Sequence, residues 1–454
     1  MKVVRSGRWA PEFCRAVAFL VLANMPFWLL STHYFVERPV VNSDVFVAMA
    51  FWTVSAPLGA LALGVVWAID GLQSLSLAYH FRSVVDFAQG IRFGGEITWL
   101  DFLSPSLLAA CALIAVAMTG ICWLFSRWRP HWMPMAVIAG MLVAADLVNG
   151  SGLTPWFGRD NFLLPANISG SPGMNLVVTT ITAEERASHP LRKLPPDGAP
   201  DIVDWAGRNG GNVLVVIVES LGQHQNRAIQ DWLSARLVDD NIRSRWQVTQ
   251  DQAPFEGSTT AGELRVLCRL GGHYTRLSAS TAADCLPQRL ARAGYATYGL
   301  HGFSSSMFNR KNWWPAMGLQ DLSFGETMPA DMLKCGGGFR GICDTAMVDW
   351  VEPLLTGERR LVYLLTLNTH LPLAPITLPA DLVALCAAQQ VGEAVCQLTG
   401  QLGVLFSRLN HLLRDVSQPP LVMVVGDHSP PFLGQAQRSQ YATSAVPRYI
   451  MVPK

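Results

Sequence analysis

The sequence predicts an α-helical membrane region of about five helices, followed by an α/β domain with a central, mostly parallel sheet. Two observations support this prediction. Apolar residues are concentrated in the first third of the 454-residue chain, whereas the remainder has the mixed composition of a water-exposed domain. In that remainder, short apolar runs rich in β-branched residues end in acidic residues or histidines, which is typical of strands buried within a parallel sheet.

The overall charge excludes one class of partner. The formal net charge at pH 7 is only +1, and half of the residues are hydrophobic. A chain of this composition has no strong positive field with which to attract nucleic acid. We therefore expect a membrane-associated protein without a nucleic-acid partner.

Membrane spans are expected where about 20 consecutive residues are predominantly apolar. Three stretches meet this condition: Phe13–Leu30, Val45–Ala68 and Leu103–Phe125. A fourth, Met133–Val148, is shorter but could also span the membrane. The segment Gly71–Gln89 is amphipathic, because His80, Arg82 and Asp86 lie among its apolar residues.

Two basic clusters orient these spans, and their members are Lys2, Arg5, Arg8 and Arg15, then Arg127 and Arg129. Both clusters should face the cytoplasm, which requires an even number of crossings between them. Part of Gly71–Gln89 must then supply a further span, giving five spans in total. Four spans with an external N-terminus are the alternative, and either count exports everything after about residue 150.

The chain is expected to divide into three parts, a transmembrane region over 1–150, a connector over 151–205 and a globular domain over 206–454. The connector is rich in Pro, Gly and charged residues, with short helical patches such as Thr182–Ser188. Because it follows the last apolar stretch, we expect it to lie between the membrane and the exported domain.

Cysteine usage also indicates export, because six of the nine cysteines follow residue 260. An even number in an exported domain predicts disulfides, although six cysteines allow 15 pairings. We favour the pairing of neighbours, since each bridge would then close one loop: Cys268 with Cys285, Cys335 with Cys343, and Cys386 with Cys396. A zinc site is the competing interpretation, but these six contain no Cys-x-x-Cys sequence.

Four apolar runs each end in polar residues of the same kinds. The runs and their endings are Asn212–Val218 before Glu219-Ser220, Ala296–Leu300 before His301, Leu361–Leu367 before Asn368-Thr369-His370, and Leu421–Val425 before Gly426-Asp427-His428. Taken singly, each ending could be an ordinary loop or turn. In open α/β sheets, however, ligands bind at the carboxyl ends of the strands. Carboxylate, imidazole and hydroxyl groups together suit Zn²⁺, Mn²⁺ or Mg²⁺, without choosing among them.

A candidate nucleophile lies in the stretch Gly257–Glu263. Thr260-Ala-Gly-Glu263 fits a capping box, so a helix is predicted to begin here, and the simplest interpretation is that these hydroxyls only cap it. A helix N-terminus also offers free N–H groups and a positive dipole end to a phosphate. Thr259, just before the predicted cap, would present its hydroxyl to that phosphate, and a metal ion could lower the pKa of the hydroxyl.

Together these residues resemble the lipoteichoic-acid-synthase and phosphoethanolamine-transferase branch of the sulfatase superfamily, whose members share an alkaline-phosphatase-like fold. The resemblance covers about residues 210–450 and extends loosely to the membrane region. Val218-Glu219-Ser220-Leu221 resembles the first strand of that family with its metal-binding glutamate, Glu219. Gly257-Ser258-Thr259 is similar to the segment with the nucleophilic threonine, which implies Thr259 as the nucleophile, with Ser258 and Thr260 as alternatives.

The remaining strand ends fit the same resemblance. Gly426-Asp427-His428 resembles the metal-binding Asp-His pair, so the implied metal ligands are Glu219, Thr259, Asp427 and His428. Asn368-Thr369-His370 is similar to the segment with the active-site histidine that contacts the phosphoryl group. The resemblance therefore implies Thr259 and His370 as catalytic residues, and one or two divalent metal ions, with zinc or manganese favoured over magnesium.

The donor head group is left open by the residues expected to bind it. Leu286-Pro287, Gly294-Tyr295, His301-Gly302 and Phe308-Asn309-Arg310 resemble the phosphoglycerol-transferring members, in which an aromatic residue and an arginine hold the head group. This implies His301, Phe308 and Arg310 as substrate-binding residues. Phe308 stands where those enzymes usually have Trp, and the paired cysteines are similar to the phosphoethanolamine transferases.

The resemblance implies a multi-pass protein of the bacterial cytoplasmic (inner) membrane with a periplasmic catalytic domain. Its donor would be a membrane phospholipid and its acceptor an envelope polysaccharide or glycolipid, with an envelope-biosynthesis complex as a further partner. The head group would move through a phosphothreonine intermediate.

Three other functions are alternatives to that transfer. A hydrolase would use water as the acceptor, and a non-catalytic scaffold for envelope assembly would have lost the metal ligands. Cys285-Leu-Pro-Gln-Arg289 also matches the short Cys-x-Pro-x-Arg pattern of sulfatases. Two features argue against a sulfatase. The first strand ends in Glu219-Ser220, at the position where sulfatases share a pair of Asp residues. Cys285 also has an expected disulfide partner in Cys268.

Overall fold

The structure is a computed structural model, which describes residues 9–34, 39–79, 84, 87–88, 105–148, 168–177, 190–199, 201–432 and 434–454. These residues form two compact units. The first contains the described residues up to 177, and the second contains nearly all of those from 190 onward. The expected basic cluster at Lys2, Arg5 and Arg8 and the helical patch Thr182–Ser188 lie outside the described residues.

The first unit is helical, as expected. Its principal described helices are α1 (Trp9–Tyr34), α2 (Val45–Val54), α3 (Ala56–Ala78), α4 (Pro105–Phe125) and α5 (Trp132–Val148). Three of them contain stretches long and apolar enough to cross a membrane, at Trp9–Leu29, Ala56–Ser76 and Leu108–Phe125. Helices α2 and α5 are apolar but shorter. Apolar helices therefore precede the globular unit, as the composition predicts.

The predicted single span Val45–Ala68 is wrong, because the chain breaks at Ser55. Ser55 is extended (φ −155°, ψ 145°) and its N–H donates to the carbonyl of Phe51, which ends α2. Its hydroxyl accepts a hydrogen bond from the N–H of Leu58 at 3.3 Å, and Pro57 lies in the first turn of α3, as helix starts favour. The ten residues of α2 extend only about 15 Å, half of the hydrocarbon thickness.

The predicted extra span over Gly71–Gln89 does not form a separate described helix. Its first residues, Gly71–Ala78, continue α3, and most of the others lie outside the described residues. The number of crossings and the side of the N-terminus therefore stay predictions.

Part of the expected connector is tied to the helices of the first unit. Ser169–Gly170 pairs in parallel with Val41–Asn42. The carboxylates of Asp44 and Asp146 accept hydrogen bonds from backbone N–H groups within 168–173. This segment thus packs as an ordered part of the helical unit.

The second unit is built on a seven-stranded sheet. Its strands are β1 (Val213–Val218), β2 (Trp246–Pro254), β3 (Ala296–His301), β4 (Asp321–Phe324), β5 (Arg360–Leu365), β6 (Leu421–Gly426) and β7 (Ala445–Pro453). Their order is β2-β7-β6-β1-β5-β3-β4. Strands β6, β1, β5, β3 and β4 are mutually parallel, β7 is antiparallel to β6, and β2 is antiparallel to β7. The mostly parallel sheet is confirmed.

Helices cover both faces of this sheet. They are α6 (Ile202–Asn209), α7 (Arg227–Leu237), α8 (Asp240–Arg245), α9 (Thr259–Cys268), α10 (Leu286–Arg292), α11 (Arg310–Ala316), α12 (Asp344–Val351), α13 (Ala380–Ala388), α14 (Glu393–Asp415) and α15 (Gln435–Arg438), with 3-10 turns at Tyr274–Arg276, Met307–Asn309 and Glu352–Leu355. Alternate residues of β1 face two separate cores. Val216 and Val218 pack with α7, α12 and α14, whereas Val215 and Ile217 pack with α6, α9, α10 and α11. Burial on both faces explains the uninterrupted apolar run of β1.

The three predicted disulfides are confirmed. Cys268–Cys285 links the end of α9 to the residue before α10. Cys335–Cys343 closes a short hairpin, and Cys386–Cys396 links α13 to α14. Each bridge joins segments that are close in sequence, as the pairing of neighbours requires.

Candidate active site

The polar strand endings converge at one edge of the sheet, as predicted. Strands β6, β1, β5 and β3 are adjacent and parallel, and their last residues lie level with one another: Val218 pairs with Gly426, and Leu365 pairs with both Ile217 and His301. Glu219, the segment 366–370 and Asp427-His428 follow directly. The sheet thus brings four separate parts of the sequence to one edge.

Glu219, Asp427 and His428 form a buried cluster whose ligand atoms all lie within 4.8 Å of one another. Nε2 of His428 is 3.3 Å from Oδ2 of Asp427 and 3.6 Å from Oε1 of Glu219. Oδ1 of Asp427 accepts hydrogen bonds from the N–H groups of Ser220 and His428. Within the described part of the chain, its buried Oδ2 has no hydrogen-bond partner.

The charges in this cluster are poorly balanced. Burial, together with the charge of Glu219, raises the pKa of Asp427 to about 7. Burial opposes a charge on His428, but the carboxylates of Asp427 and Glu219 outweigh it and raise the pKa of His428. Nδ1 of His428 donates to the carbonyl of Ser429 at 2.9 Å, so Nε2 is the ring atom that faces the carboxylates and that would bind a metal ion after losing its proton. A divalent cation fits this donor set.

Thr259 lies against this cluster at the start of α9. Its hydroxyl donates to Oε2 of Glu219 at 3.1 Å and lies 3.4 Å from Nε2 of His428. Ser258 occupies the N-cap position, but its side chain makes no capping hydrogen bond. The hydroxyl of Thr259 therefore lies at both the predicted ligand cluster and a helix N-terminus.

One side of α9 is fitted to the end of β6. A Cβ atom at Gly262 would lie 3.0 Å from Cβ of Asp427, a tight contact that glycine avoids. One turn further, the guanidinium of Arg265 donates to the carbonyls of Gly426 and Asp427, at 2.7 and 3.2 Å. Thr259, Gly262 and Arg265 are spaced three residues apart, which places them along one side of the helix.

The capping-box prediction is wrong, because Glu263 points into the protein. Helix α9 begins at Thr259 with Ser258 as its N-cap, two residues before the predicted cap at Thr260. The carboxylate of Glu263 is fully buried and accepts hydrogen bonds from Arg310 at 3.0 and 3.2 Å, Trp314 at 2.8 Å and Tyr363 at 3.0 Å. These partners lie 47 to 100 residues away in sequence, so local spacing gave no signal of them.

The three predicted substrate-binding residues lie next to this second cluster. Arg310 is buried against Glu263, and its guanidinium lies 5.4 Å from the ring of Phe308. Phe308 has a φ of 52°, in the left-handed region that costs a residue with a side chain about 1–2 kcal/mol. At the end of β3, Nδ1 of His301 donates to the carbonyl of Leu365, and burial, helped by Arg310, lowers the pKa of His301 to about 3. Their binding role stays a prediction.

His370 lies in a segment that also holds Glu219. Its Nδ1 donates to the carbonyl of Leu371 at 2.8 Å, which leaves the lone pair on Nε2. Burial, together with His428, lowers the pKa of His370 to about 4, so the ring is neutral at pH 7. In the same segment, the hydroxyl of Thr366 accepts from the N–H of Glu219, and Thr369 donates to its carbonyl. No pattern in the sequence indicates that Thr366 and Thr369 hold the backbone of Glu219.

A further buried carboxylate near this segment is that of Asp344, which the sequence analysis did not predict to lie at the site. It accepts hydrogen bonds from the N–H groups of Leu367 and Asn368, just before His370. Burial raises the pKa of Asp344 to about 7 against the ordinary 3.8, and the charge of Glu219 adds to the increase. No feature of the sequence near Asp344 connects it with the segment 366–370.

The sulfatase-like pattern does not supply a free thiol. Cys285 is buried and bonded to Cys268. The disulfide leaves no unpaired thiol at this position.

No family model matches the sequence, and no curated protein matches it. Among solved structures, the chain is similar to the lipoteichoic acid synthase LtaP from Listeria monocytogenes, with 17% identity over 60% of this chain and 71% of that one, at a TM-score of 0.39. It is also similar to the Streptococcus pyogenes phosphoglycerol transferase GacH in complex with sn-glycerol-1-phosphate, with 14% identity over 57% of this chain and 77% of that one, at a TM-score of 0.36. A third similar structure is the zinc complex of the C-terminal periplasmic domain of Escherichia coli EptC, with 12% identity over 57% of this chain and 77% of that one, at a TM-score of 0.35.

Proposed function

We propose that this chain is a membrane phosphotransferase that moves a phospholipid head group, phosphoglycerol or phosphoethanolamine, onto an envelope glycan or lipid. The head group would be carried on Thr259 as a phosphothreonine ester. One observation carries the proposal: the hydroxyl of Thr259 lies 3.1 Å from Glu219 and 3.4 Å from His428, beside Oδ2 of Asp427, which accepts no hydrogen bond from the residues that the structure describes. A reactive hydroxyl and an incomplete ligand set thus share one position.

The proposed arrangement in the cell follows from the order of the units. Residues 1–150 hold the protein in the bacterial inner membrane through several spans, and 151–205 connect them to a periplasmic catalytic domain at 206–454. The helices that are apolar enough to span a membrane keep the domain where its phospholipid donor lies. Membrane attachment and lipid substrate therefore support one another.

The residues that would hold a divalent ion are Glu219, Asp427 and His428, together with Thr259. Their mixture of carboxylate, imidazole and hydroxyl suits zinc or manganese, with magnesium as a further option and room in the proposal for one ion or two. When bound, the ion lowers the pKa of the threonine hydroxyl and withdraws charge from a phosphoryl oxygen.

In the first step, Oγ of Thr259 attacks the phosphorus of the donor, guided by its hydrogen bond to Glu219. The bond from Oγ to phosphorus forms as the bond from phosphorus to the diacylglycerol oxygen breaks, and that oxygen gains the proton that Thr259 loses. In the second step, an acceptor hydroxyl attacks the same phosphorus, and Thr259 leaves and regains a proton. The N-terminal end of α9 favours the negative phosphoryl group at Thr259 throughout.

His370 has the protonation state of a base rather than of an acid. Because its Nδ1 donates to Leu371 and its ring is neutral at pH 7, Nε2 can take up the proton of the attacking acceptor hydroxyl. His301 and Arg310 would contact the head group, with Phe308 beside them. Donation of a proton by His370 to the leaving group would require a proton on Nε2, which a neutral ring with its proton on Nδ1 does not carry.

The proposal is tested with the purified full-length protein, supplied with phosphatidylglycerol or phosphatidylethanolamine and Mn²⁺ or Zn²⁺. We expect diacylglycerol to be released from at least one donor, and release by Thr259→Ala to fall by about 10³-fold or more. Ser258→Ala and Thr260→Ala are matched controls, since each removes a neighbouring hydroxyl, and both should stay within about threefold of the original protein, a change of less than 1 kcal/mol in the barrier.

Unchanged release by Thr259→Ala would rule out this nucleophile. A transferase and a hydrolase are separated by the fate of the head group, which is attached to an added acceptor by the former and released as free head-group phosphate by the latter. A protein that binds metal but releases no diacylglycerol from either donor would point to the scaffold instead.

A further inference from the structure

The loop closed by Cys335–Cys343 lies beside the segment that carries His370, and the chemistry proposed above gives this loop no role. Its arms, Lys334–Cys335 and Gly341–Ile342, pair antiparallel, and each contributes only two residues to the pairing. A hairpin this short has little stability of its own. The disulfide is therefore the main covalent constraint on the position of the loop.

The tip of this loop contacts the catalytic histidine. The ring centroids of Phe339 and His370 are 3.9 Å apart, and Phe339 is buried. Next to it, the N–H of Gly338 donates to the carbonyl of Pro372 at 3.4 Å. The loop thus packs on His370 and on the residues that follow it. Together with the hydrogen bond from Nδ1 to Leu371, the ring of Phe339 fixes the plane of the imidazole.

The residue after the disulfide holds the backbone that precedes His370. Asp344 is the first residue of α12 and is buried. Its Oδ1 accepts from the N–H of Leu367 at 2.9 Å, and its Oδ2 accepts from the N–H of Asn368 at 2.8 Å. In return, the N–H of Asp344 donates to Oδ1 of Asn368 at 2.6 Å. Three hydrogen bonds therefore join Asp344 to Leu367 and Asn368.

These two residues lie between the threonines that hold Glu219. Thr366 precedes them and accepts from the N–H of Glu219, while Thr369 follows them and donates to the carbonyl of Glu219. Asp344 fixes the segment 366–370 from one side, and the segment fixes Glu219 on its other side. The chain of contacts from the disulfide to the cluster is continuous.

We propose that the Cys335–Cys343 loop and Asp344 form one positioning element for the active site. Phe339 sets the plane of His370, and Asp344 sets the backbone that holds Thr366 and Thr369 on Glu219. Asp344 acts through that segment, so it is a positioning residue. The kinetic part of this inference rests on the proposed function. The competing interpretation is that the disulfide stabilises the fold without influencing the site.

The first test compares two disulfide removals in the full-length protein. Cys335→Ser/Cys343→Ser opens a bridge with a sequence separation of 8, and Cys386→Ser/Cys396→Ser opens one with a separation of 10, so both lose a similar loop constraint. We expect kcat for diacylglycerol release to fall about tenfold or more in the first and to stay within about twofold in the second. The KM for the donor should change by less than about threefold in both, because positioning of His370 acts on the transition state.

A second pair of variants tests Asp344 within a single helix. Asp344→Asn loses one of the two acceptor oxygens and should lower kcat by about tenfold or more. Asp349→Asn is its matched control, because Asp349 is exposed on the same helix and pairs with Arg408. The control should keep its kcat within about twofold. Equal rates in the two variants would remove Asp344 from the positioning element.

A readout independent of activity uses the full-length protein with ¹³C-labelled histidine, in which the His370 signal is assigned by its loss in His370→Gln. The ring of Phe339 should displace this signal, which is expected to move in Phe339→Leu and in Cys335→Ser/Cys343→Ser, but not in Cys386→Ser/Cys396→Ser. An unmoved signal and an unchanged kcat in the first disulfide variant would overturn the inference. If the original protein releases no diacylglycerol, the proposed function fails, whereas the spectra still decide whether the loop positions His370.

Discussion

The second unit buries two acidic clusters that differ in what balances their charge. Around Glu263, a guanidinium, an indole N–H and a phenol hydroxyl converge on one carboxylate. Around Glu219 and Asp427, the described side chains supply the hydroxyls of Thr259 and Ser220 and the imidazole of His428, and one carboxylate oxygen accepts no hydrogen bond. We call them the closed cluster and the open cluster.

The comparison shows how the same fold uses buried charge in two ways. A buried carboxylate is expensive unless it is paired and hydrogen-bonded. The closed cluster meets that requirement from within the chain, so its role is to join α9, α11 and β5. The open cluster does not meet it from the described residues, and under the proposed function the partner that completes it is a divalent cation. An unsatisfied buried carboxylate oxygen beside a second carboxylate and an imidazole is therefore an indication of a ligand.

The largest expected effect breaks the open cluster. Asp427→Asn removes a charge that the ion needs, so metal content should fall to well below one equivalent and diacylglycerol release should fall by about 10³-fold or more. Metal content is measured by elemental mass spectrometry after dialysis. Asp381→Asn is the control, since this exposed carboxylate pairs with Arg236 at the surface. Full metal content in Asp427→Asn would show that the open cluster is not the metal site.

The next effect breaks the closed cluster. Glu263→Gln leaves the guanidinium of Arg310 buried without its charged partner, which should cost about 3–5 kcal/mol and lower the Tm of the second unit by roughly 6 °C or more. The double variant Glu263→Gln/Arg310→Met should recover much of that loss, because no unpaired charge remains. Metal content should not change in either. Metal loss without loss of stability in Glu263→Gln would mean that the two clusters are not separate in function.

The smallest effect concerns Asp344. Its carboxylate is intermediate between the closed and the open cluster, because it accepts hydrogen bonds but only from neutral backbone N–H groups. Its pKa in the folded protein, about 7, lies above the ordinary 3.8. The folded state therefore binds the proton more tightly, and this contribution to stability is present below about pH 4 and is lost as the pH rises to about 7. The difference in the free energy of unfolding between the original protein and Asp344→Asn should shrink over that range, by at most about 1.4 kcal/mol per pH unit, and the difference in Tm should shrink with it. Asp349→Asn should show no such trend, and a flat difference for Asp344→Asn would contradict the raised pKa.

The open cluster could be predicted from the sequence, because its members directly follow strands. Parallel strands buried on both faces have an uninterrupted apolar pattern, and β1, β5 and β6 all end within two residues of their predicted ends. Once the strands are known, their carboxyl ends must meet. The disulfides were predictable for a similar reason, since their partners are close in sequence.

The closed cluster could not be predicted, because its members are brought together only by tertiary packing. Glu263 fits a local capping pattern, and nothing near it in sequence indicates that Tyr363 and Trp314 will donate to it. The break at Ser55 was missed for a different reason. Its signal, a serine followed two residues later by Pro57, lies within a run whose apolar character alone suggested a continuous span.

The central claim is that Thr259 carries the head group, and peptide mass spectrometry tests it most directly. The full-length protein is incubated with phosphatidylglycerol or phosphatidylethanolamine and Mn²⁺ or Zn²⁺, quenched in acid without an acceptor, and digested. We predict an adduct on the peptide containing Thr259, absent from Thr259→Ala, whose mass identifies phosphoglycerol or phosphoethanolamine. Diacylglycerol release with an unmodified Thr259 peptide, or with an adduct on another residue, would contradict the account.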